Sequence, residues 1–330
     1  MWFKQLTVYR LPGDFGFSAA EIETALAARP LEPCGAYDMQ RHGWIPPGPL
    51  AAPAAGADAS SPNLHSVQGP KLHSVQGPRL LSVQGPMVHT VQAQHLIALG
   101  IEEKLLPASI VRQEAAARAL LLEAEQGQPL SRRQLREVRD QVADELRARA
   151  LSRRRRINAW LDPVQGRLIV DNATPAKAEL VLTALRDTFG SFNAAPLATA
   201  TGPRQAMTQW LEAASAPGGF SIDEDLELRA LADTKHCVRY THHGLDDDEV
   251  RAHLRAGLAP TRLGLTWRDH VSFLLSDTLQ LRRVQFIGLG SDAGDGVAPE
   301  ERFDNDFMLM VGELSKLLDE LTAVLGGESE

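Results

Sequence analysis

Ten arginines fall between Ser131 and Arg156, against four carboxylates, Glu137, Asp140, Asp144 and Glu145. That segment carries +6 while the whole chain carries -8, so the remainder carries -14. The charge is strongly polarised along the chain. Guanidinium groups present a planar fork of donors that matches phosphate oxygens, and a row of them along one helix face grips a nucleic-acid backbone without reading bases. The candidate phosphate contacts are Arg136, Arg139, Arg147 and Arg149, with the run Arg153, Arg154, Arg155 and Arg156 continuing the same basic face. The competing arrangement is a solvated helix whose arginines pair with the four carboxylates at helical spacing.

Other residues invite chemistry less strongly. In HCVRYTHHGL, His242 and His243 sit within a strand-like run. An unperturbed imidazole has a pKa of about 6.5, so any phosphate contact there would strengthen as pH falls. The alternative is two histidines on opposite faces of one strand. His65, His73 and His89 recur because the sequence around them is duplicated, and no cysteine or carboxylate stands at a fixed offset to complete a metal site. Gly288, Gly290 and Ala293 match a dinucleotide fingerprint, but Gly294, Gly296 and Pro299 prevent the helix that must follow at once. Asp292, Asp295, Glu300, Glu301, Asp304 and Asp306 are simpler as a loop and helix start, with Asp304 or Asn305 as the cap, than as a metal cage. A serine nucleophile elbow, an HExxH helix and a Walker loop are all absent. The expectation is a protein that is not an enzyme, with no cofactor and no metal. A nuclease using Asp162 and Asp171, or the 292–306 carboxylates, on metal ions is the alternative from another class.

The elements that must position these residues follow from periodicity. Ser109 to Gln126 has helical spacing and stops at Gly127 and Pro129. Ser131 with Gln134 forms a capping-box pattern, and Leu135, Val138, Val142 and Leu146 recur at helical intervals after it. INAWLD, the turn PVQG and RLIVD predict a hairpin, and Thr174 and Pro175 open the next helix. HCVRYTHH, TRLGLTW, HVSFLLS and LQLRRVQFIGL read as strands, with helices over 246–256 and about 306–325. Short alternating strands interrupted by helices predict an α+β fold with mostly antiparallel sheet.

From Gly48 to Ser61 the chain is rich in Pro, Ala and Gly and has no periodicity. An octapeptide array follows: LHSVQGP at Leu64 to Pro70 and Leu72 to Pro78, LLSVQGP at Leu80 to Pro86, and a degenerate VHTVQAQ at Val88 to Gln94. Gly-Pro interrupts a continuous ladder, so a stacked repeat domain is not expected. The earlier copies read as tandem duplications of the leading edge of the strand that begins at HLIALG, decorating a mobile and dispensable loop. Each doubling of loop length costs only about 0.6 kcal/mol. The organisation predicted is 1–47 as the first part of the core, 48–95 as linker and insert, 96–160 as a helical Arg-rich tip, and 161–330 as the rest of the core.

At 330 residues, 44% hydrophobic and 23% charged, the composition is that of an ordinary globular chain. No apolar run approaches the roughly 18 residues of a membrane span, and no leader precedes the first strand, so a cytoplasmic location without membrane contact is expected. Cys34 and Cys237 lack metal-type spacing and are expected as buried, reduced thiols.

WFKQLTVYRL and PCGAYDMQRHGWIPP at one end, and RFDNDFMLMVGELSKLLDELTAVLGGE at the other, resemble RdgC, the bacterial recombination-associated family. Phe3, Leu6, Val8 and Tyr9 fit a half-buried strand, and Cys34, Gly35 and Trp44 to Pro47 read as a turn-rich segment. The likeness spans about 2–47 and 96–327, through EEKLLP, EAEQ, WLDPVQGRLIVD and AKAELVLTALRDTFGS, and breaks between Gly48 and His95. It implies a nucleoid-associated, ring-shaped homodimer that threads duplex DNA through a positively lined hole and restrains the recombinase RecA; the preference between double- and single-stranded DNA stays open. A general nucleoid-associated binder with no recombination role is the nearer alternative, and a third treats the octapeptide array as a protein-binding module. Two positions depart from the family pattern. Arg149-Ala150-Leu151 stands where the family commonly has Arg-Ala-Phe, and Thr241, His242 and His243 stand where it often has lysine.

Overall fold

The computed structural model describes residues 2–11, 13, 15–48, 85–230, 236–241, 247–289 and 298–329. Among them the chain forms, in order, β1 (Gln5–Arg10), α1 (Ala19–Ala27), β2 (Gln40–Ile45), β3 (Val88–Val91), β4 (Gln94–Lys104), α2 (Ala108–Gln126), α3 (Arg132–Arg149), β5 (Ser152–Asp162) and β6 (Arg167–Val170). Then come α4 (Pro175–Phe189), β7 (Ala195–Pro196), α5 (Pro203–Ala213), β8 (Phe220–Ala230), β9 (Cys237–Tyr240), α6 (Asp247–Arg255), β10 (Leu258–Trp267), β11 (Val271–Ser276), β12 (Gln280–Phe286) and α7 (Pro299–Val324). The strands make one sheet in the order β2-β4-β5-β6-β1-β12-β11-β10-β8-β9, with β3 on β4 and β7 on β1. Neighbouring strands run antiparallel throughout. The α+β reading holds.

Helices cover opposite faces of the two halves of this sheet. Tyr9, Ile97, Leu99, Ala159, Leu161, Leu168 and Val170 pack with Ile22 and Leu26 of α1 and with Ala178, Val181 and Leu185 of α4. The residues between them, Leu6, Val8, Leu96, Trp160 and Ile169, enter a second core with α5, α6 and α7 that continues under β8, β10, β11 and β12. Strands that feed both cores need apolar side chains on both faces, and β4 accordingly reads HLIALGI without alternation. On the half under α5, α6 and α7, the opposite face of the strands is polar.

The helical hairpin α2–α3 stands apart with a small core of its own, Val111, Ala115, Ala119, Leu130, Val138 and Val142. Gly127 ends α2 with a φ of 70°, and Ser131 and Gln134 cap α3 reciprocally as their spacing predicts. Arg118 of α2 clasps Glu145 of α3 at 2.8 Å.

The fold departs from the sequence reading at several places. Trp44 lies in strand β2, its indole donating to Thr188 Oγ1, and not in a turn-rich segment. The degenerate repeat unit is β3 followed by a turn through Gln92 and Ala93, both at positive φ, and it pairs antiparallel with β4. The earlier repeat copies up to residue 84 lie outside the described residues. Helix α7 starts at Pro299, so Asp304 is not its cap; it sits 3.1 Å from the His89 ring of β3. Helices α1 and α5 and strand β8 were not read from the sequence. Cys34 is half-buried and Cys237 exposed, both free, against the expectation of two buried thiols.

Candidate nucleic-acid interface

The arginine run Arg153–Arg156 does not continue the helix. The helical hairpin ends at Ala150, and the four arginines open strand β5, where successive side chains alternate between faces. Their roles therefore divide in pairs. Register places Arg154 beside Glu102 of β4, whose side chain is 5% exposed, and the ion pair is 2.8 Å long. Burial pushes the Glu102 carboxyl up, but hydrogen bonds from Arg154, Ser152 and the Cys34 amide hold it below the usual range. Arg156 donates to the Gly48 carbonyl at 2.8 Å, and burial lowers its pKa. These two guanidiniums are committed to the fold. Arg153 and Arg155 project from the other face, and both approach the same carboxylate, Glu103, at 3.6 Å. One carboxylate against two exposed guanidiniums leaves a surplus positive charge.

Helix α3 adds a stripe. Arg132, Arg136 and Arg139 follow one another at intervals of four and three, which puts them on one flank beside the buried Val138 and Val142. All three are exposed, and among the described residues none has an ion pair. Arg149, also exposed, lies close enough to Glu145 to lower that carboxyl's pKa, though Arg118 does so more strongly. By contrast Arg133 pairs with Glu137 at 3.0 Å and Arg147 with Asp144 at 2.7 Å, which realises part of the competing arrangement.

Lys104 is a residue the sequence reading missed. Its ammonium donates to the carbonyls of Gly35, Ala36 and Arg147 at 2.6, 3.1 and 2.8 Å. The last of these carbonyls, which also accepts the Ala150 amide, lies at the C-terminus of α3, where a cation is favoured by the helix dipole. Lys104 thus ties the Arg-rich helix to the sheet. Following Glu102 and Glu103 at the end of β4, it carried no local signal of that role.

His242 and His243 lie outside the described residues, as do Asp292 and Asp295. Of the remaining carboxylates weighed for metal chemistry, Asp162 accepts the amides of Val164 and Gln165 in the β5–β6 turn and the Gln94 amide group. Asp171 accepts the amides of Lys4 and Gln5, and burial raises its pKa despite those bonds. Both serve the backbone. No group of three or more metal-type side chains converges among the described residues.

Comparison with known proteins decides the lineage. A family model described as "Putative exonuclease, RdgC" matches residues 1–57 and 78–328. The chain belongs to the RdgC family. The recombination-associated protein RdgC of Janthinobacterium sp. (strain Marseille) is 37% identical over 332 residues, covering 100% of this chain and 99% of its own length. The proteins of the same name from Dechloromonas aromatica (strain RCB) and Herminiimonas arsenicoxydans are 38% and 37% identical, with 99% of this chain covered in each case. The stretch that the RdgC model leaves unmatched, 58–77, contains the first LHSVQGP copy and nearly all of the second. No helix among the described residues is long and apolar enough to cross a membrane.

Proposed function

We propose that this RdgC protein binds DNA without sequence preference and restrains RecA-mediated recombination by occluding or encircling the duplex, as a ring-shaped homodimer in the nucleoid. The observation that carries the reading is the surface of α3 and β5: Arg132, Arg136 and Arg139 without ion pairs among the described residues, beside Arg153 and Arg155 sharing one carboxylate, on a chain whose net charge is -8. A basic surface concentrated on an acidic chain attracts anionic partners, and a polyphosphate backbone is the partner that releases counterions on contact. Coating or encircling the duplex would deny a RecA filament access to the homologous strand without any bond being broken.

The test is fluorescence anisotropy of a labelled duplex of arbitrary sequence, titrated between about 50 and 200 mM salt. Binding that weakens by orders of magnitude across that range supports the reading, and absence of binding at low salt overturns it. Strand exchange with RecA then separates restraint of recombination from general DNA coating. The family model's description favours a second reading, an exonuclease. Labelled duplex incubated with magnesium or manganese and left uncut would remove it; the bonds already made by Asp162 and Asp171 argue for that result.

A further inference from the structure

A second concentration of arginine lies on β8, β9 and β10, far in sequence from the first. Leu226 and Leu228 of β8 enter the core, so Glu227 between them faces the other side of the sheet. Register sets Arg239 of β9 directly beside it on one flank and Arg262 of β10 on the other. Arg229 stands two residues along the same strand. The Glu227 carboxylate receives Arg229 Nε at 2.9 Å, Arg239 at 2.5 Å and Arg262 at 3.4 Å, with Thr261 Oγ1 at 3.0 Å.

One carboxylate cannot neutralise three guanidiniums, so Glu227 and these three arginines together carry +2. Satisfying Glu227 needs a single bidentate fork; the other cations are in excess of what its burial requires. Each of the three arginines leaves between 38% and 58% of its side chain exposed. Each also has five N–H donors, of which the contacts to Glu227 occupy only some. Among the described residues the neighbouring carboxylates are paired with other arginines, Asp277 with Arg204 and Asp225 with Arg283, although Asp277 also acts on Arg229. Arg282, whose pKa is lowered by burial and then by the nearby Arg262, adds to the same field while its own fork holds the Ala173 carbonyl at 2.7 Å. A shallow depression of about 60 Å³ opens between Arg239, Thr241, Arg262 and Arg283, with the carboxylates Asp225 and Glu227 in its lining.

We propose that Arg229, Arg239 and Arg262, spread by Glu227, form a preformed seat for a phosphate of the DNA backbone, separate from the α3–β5 surface. The inference rests on the DNA-binding reading above. Glu227 is a positioning residue: it fixes the three forks so that their unused donors face outward and little side-chain freedom is lost when the oxyanion arrives.

The experiment compares Arg239→Ala and Arg262→Ala with the parent protein and with a double Arg153→Ala/Arg155→Ala variant, in duplex anisotropy across the same salt series. Either seat variant leaves Glu227 two arginine partners, so folding by circular dichroism should match the parent. Each is expected to lower the slope of log affinity against log salt by about 1 and to weaken binding several-fold at the lower salt. Arg239→Lys retains the charge without the fork, and should keep the slope while still weakening binding. A parent that binds, with slopes unchanged in both seat variants, overturns the seat and leaves the DNA-binding reading standing. A parent that does not bind overturns both.

Discussion

Glu227 concentrates more electrostatic consequence than any other described side chain. Burial pushes its carboxyl up, yet the bonds from Arg239, Arg229 and Thr261 outweigh that and hold it at about 2, against 4.5 for an unperturbed glutamate. The unfolded chain therefore binds this proton more readily than the folded one. Its contribution to stability is complete above about pH 4.5 and is lost as pH falls towards 2, and is on the order of 3 kcal/mol at neutral pH. Glu227→Gln should cost about 2 kcal/mol at pH 7, with the loss shrinking as the pH is taken down to 3; thermal melts over that range check it, and a loss independent of pH would contradict the assignment. Within the β5 run the arginines should separate by face. Arg156→Ala should cost about 1 kcal/mol by losing its bond to Gly48, whereas Arg153→Ala and Arg155→Ala should leave denaturation midpoints unchanged and appear only in DNA affinity. Reversing the charge of all four at once would confuse the two effects.

At the scale of elements, β2 tests close packing. A Cβ on Gly43 would come 2.5 Å from the Pro30 carbonyl oxygen and 2.6 Å from the Leu31 Cα, both backbone atoms that cannot swing aside. Gly43→Ala should destabilise by about 2 kcal/mol in chemical denaturation. The octapeptide array offers the opposite expectation. Its degenerate last copy is strand β3, whose Val88 is buried and whose His89 packs against Phe303 and Phe307 of α7. Deleting Leu64 to Arg79 removes two copies and leaves β3 whole; melting temperature and DNA affinity should be unchanged. A loss of DNA or partner binding on that deletion would instead make the array a module in its own right. Ser131→Ala removes the reciprocal cap of α3 and should cost about 1 kcal/mol, felt as faster amide exchange in the α2–α3 hairpin, whose small core lends it little reserve.

For the whole molecule, polarised charge is the governing property. The -14 outside the Ser131–Arg156 segment opposes non-specific association with anions, while the basic surfaces on α3, β5 and β8–β10 concentrate attraction at a few places. Salt should therefore weaken DNA binding steeply, and the double Arg153→Ala/Arg155→Ala variant should bind with a shallower slope by about 1 to 2. A homodimer predicts twice the chain mass of 36.0 kDa in light scattering. At the tip following α3, Leu151 is 79% exposed where the family commonly carries an aromatic, so any contact between copies there would be aliphatic packing without ring stacking.

The sequence by itself determined the local elements and the lineage. Capping at Ser131, the PVQG hairpin, the helix opened by Pro175 and the strands from 258 to 286 depend on neighbours within a few residues, and their signals were legible for that reason. The concentration of arginine between 132 and 156 was legible too, because charge can be counted along a chain. What only the tertiary structure decided was which arginines are available. Arg154 and Arg156 are spent on Glu102 and Gly48 while Arg153 and Arg155 are not, since successive side chains of a strand alternate between its two faces. The cluster around Glu227 was invisible for a related reason: Arg229, Arg239 and Arg262 are separated along the chain and meet only through the pairing of β8 with β9 and β10. Pairing between distant strands is set by the whole core, and no local pattern encodes it.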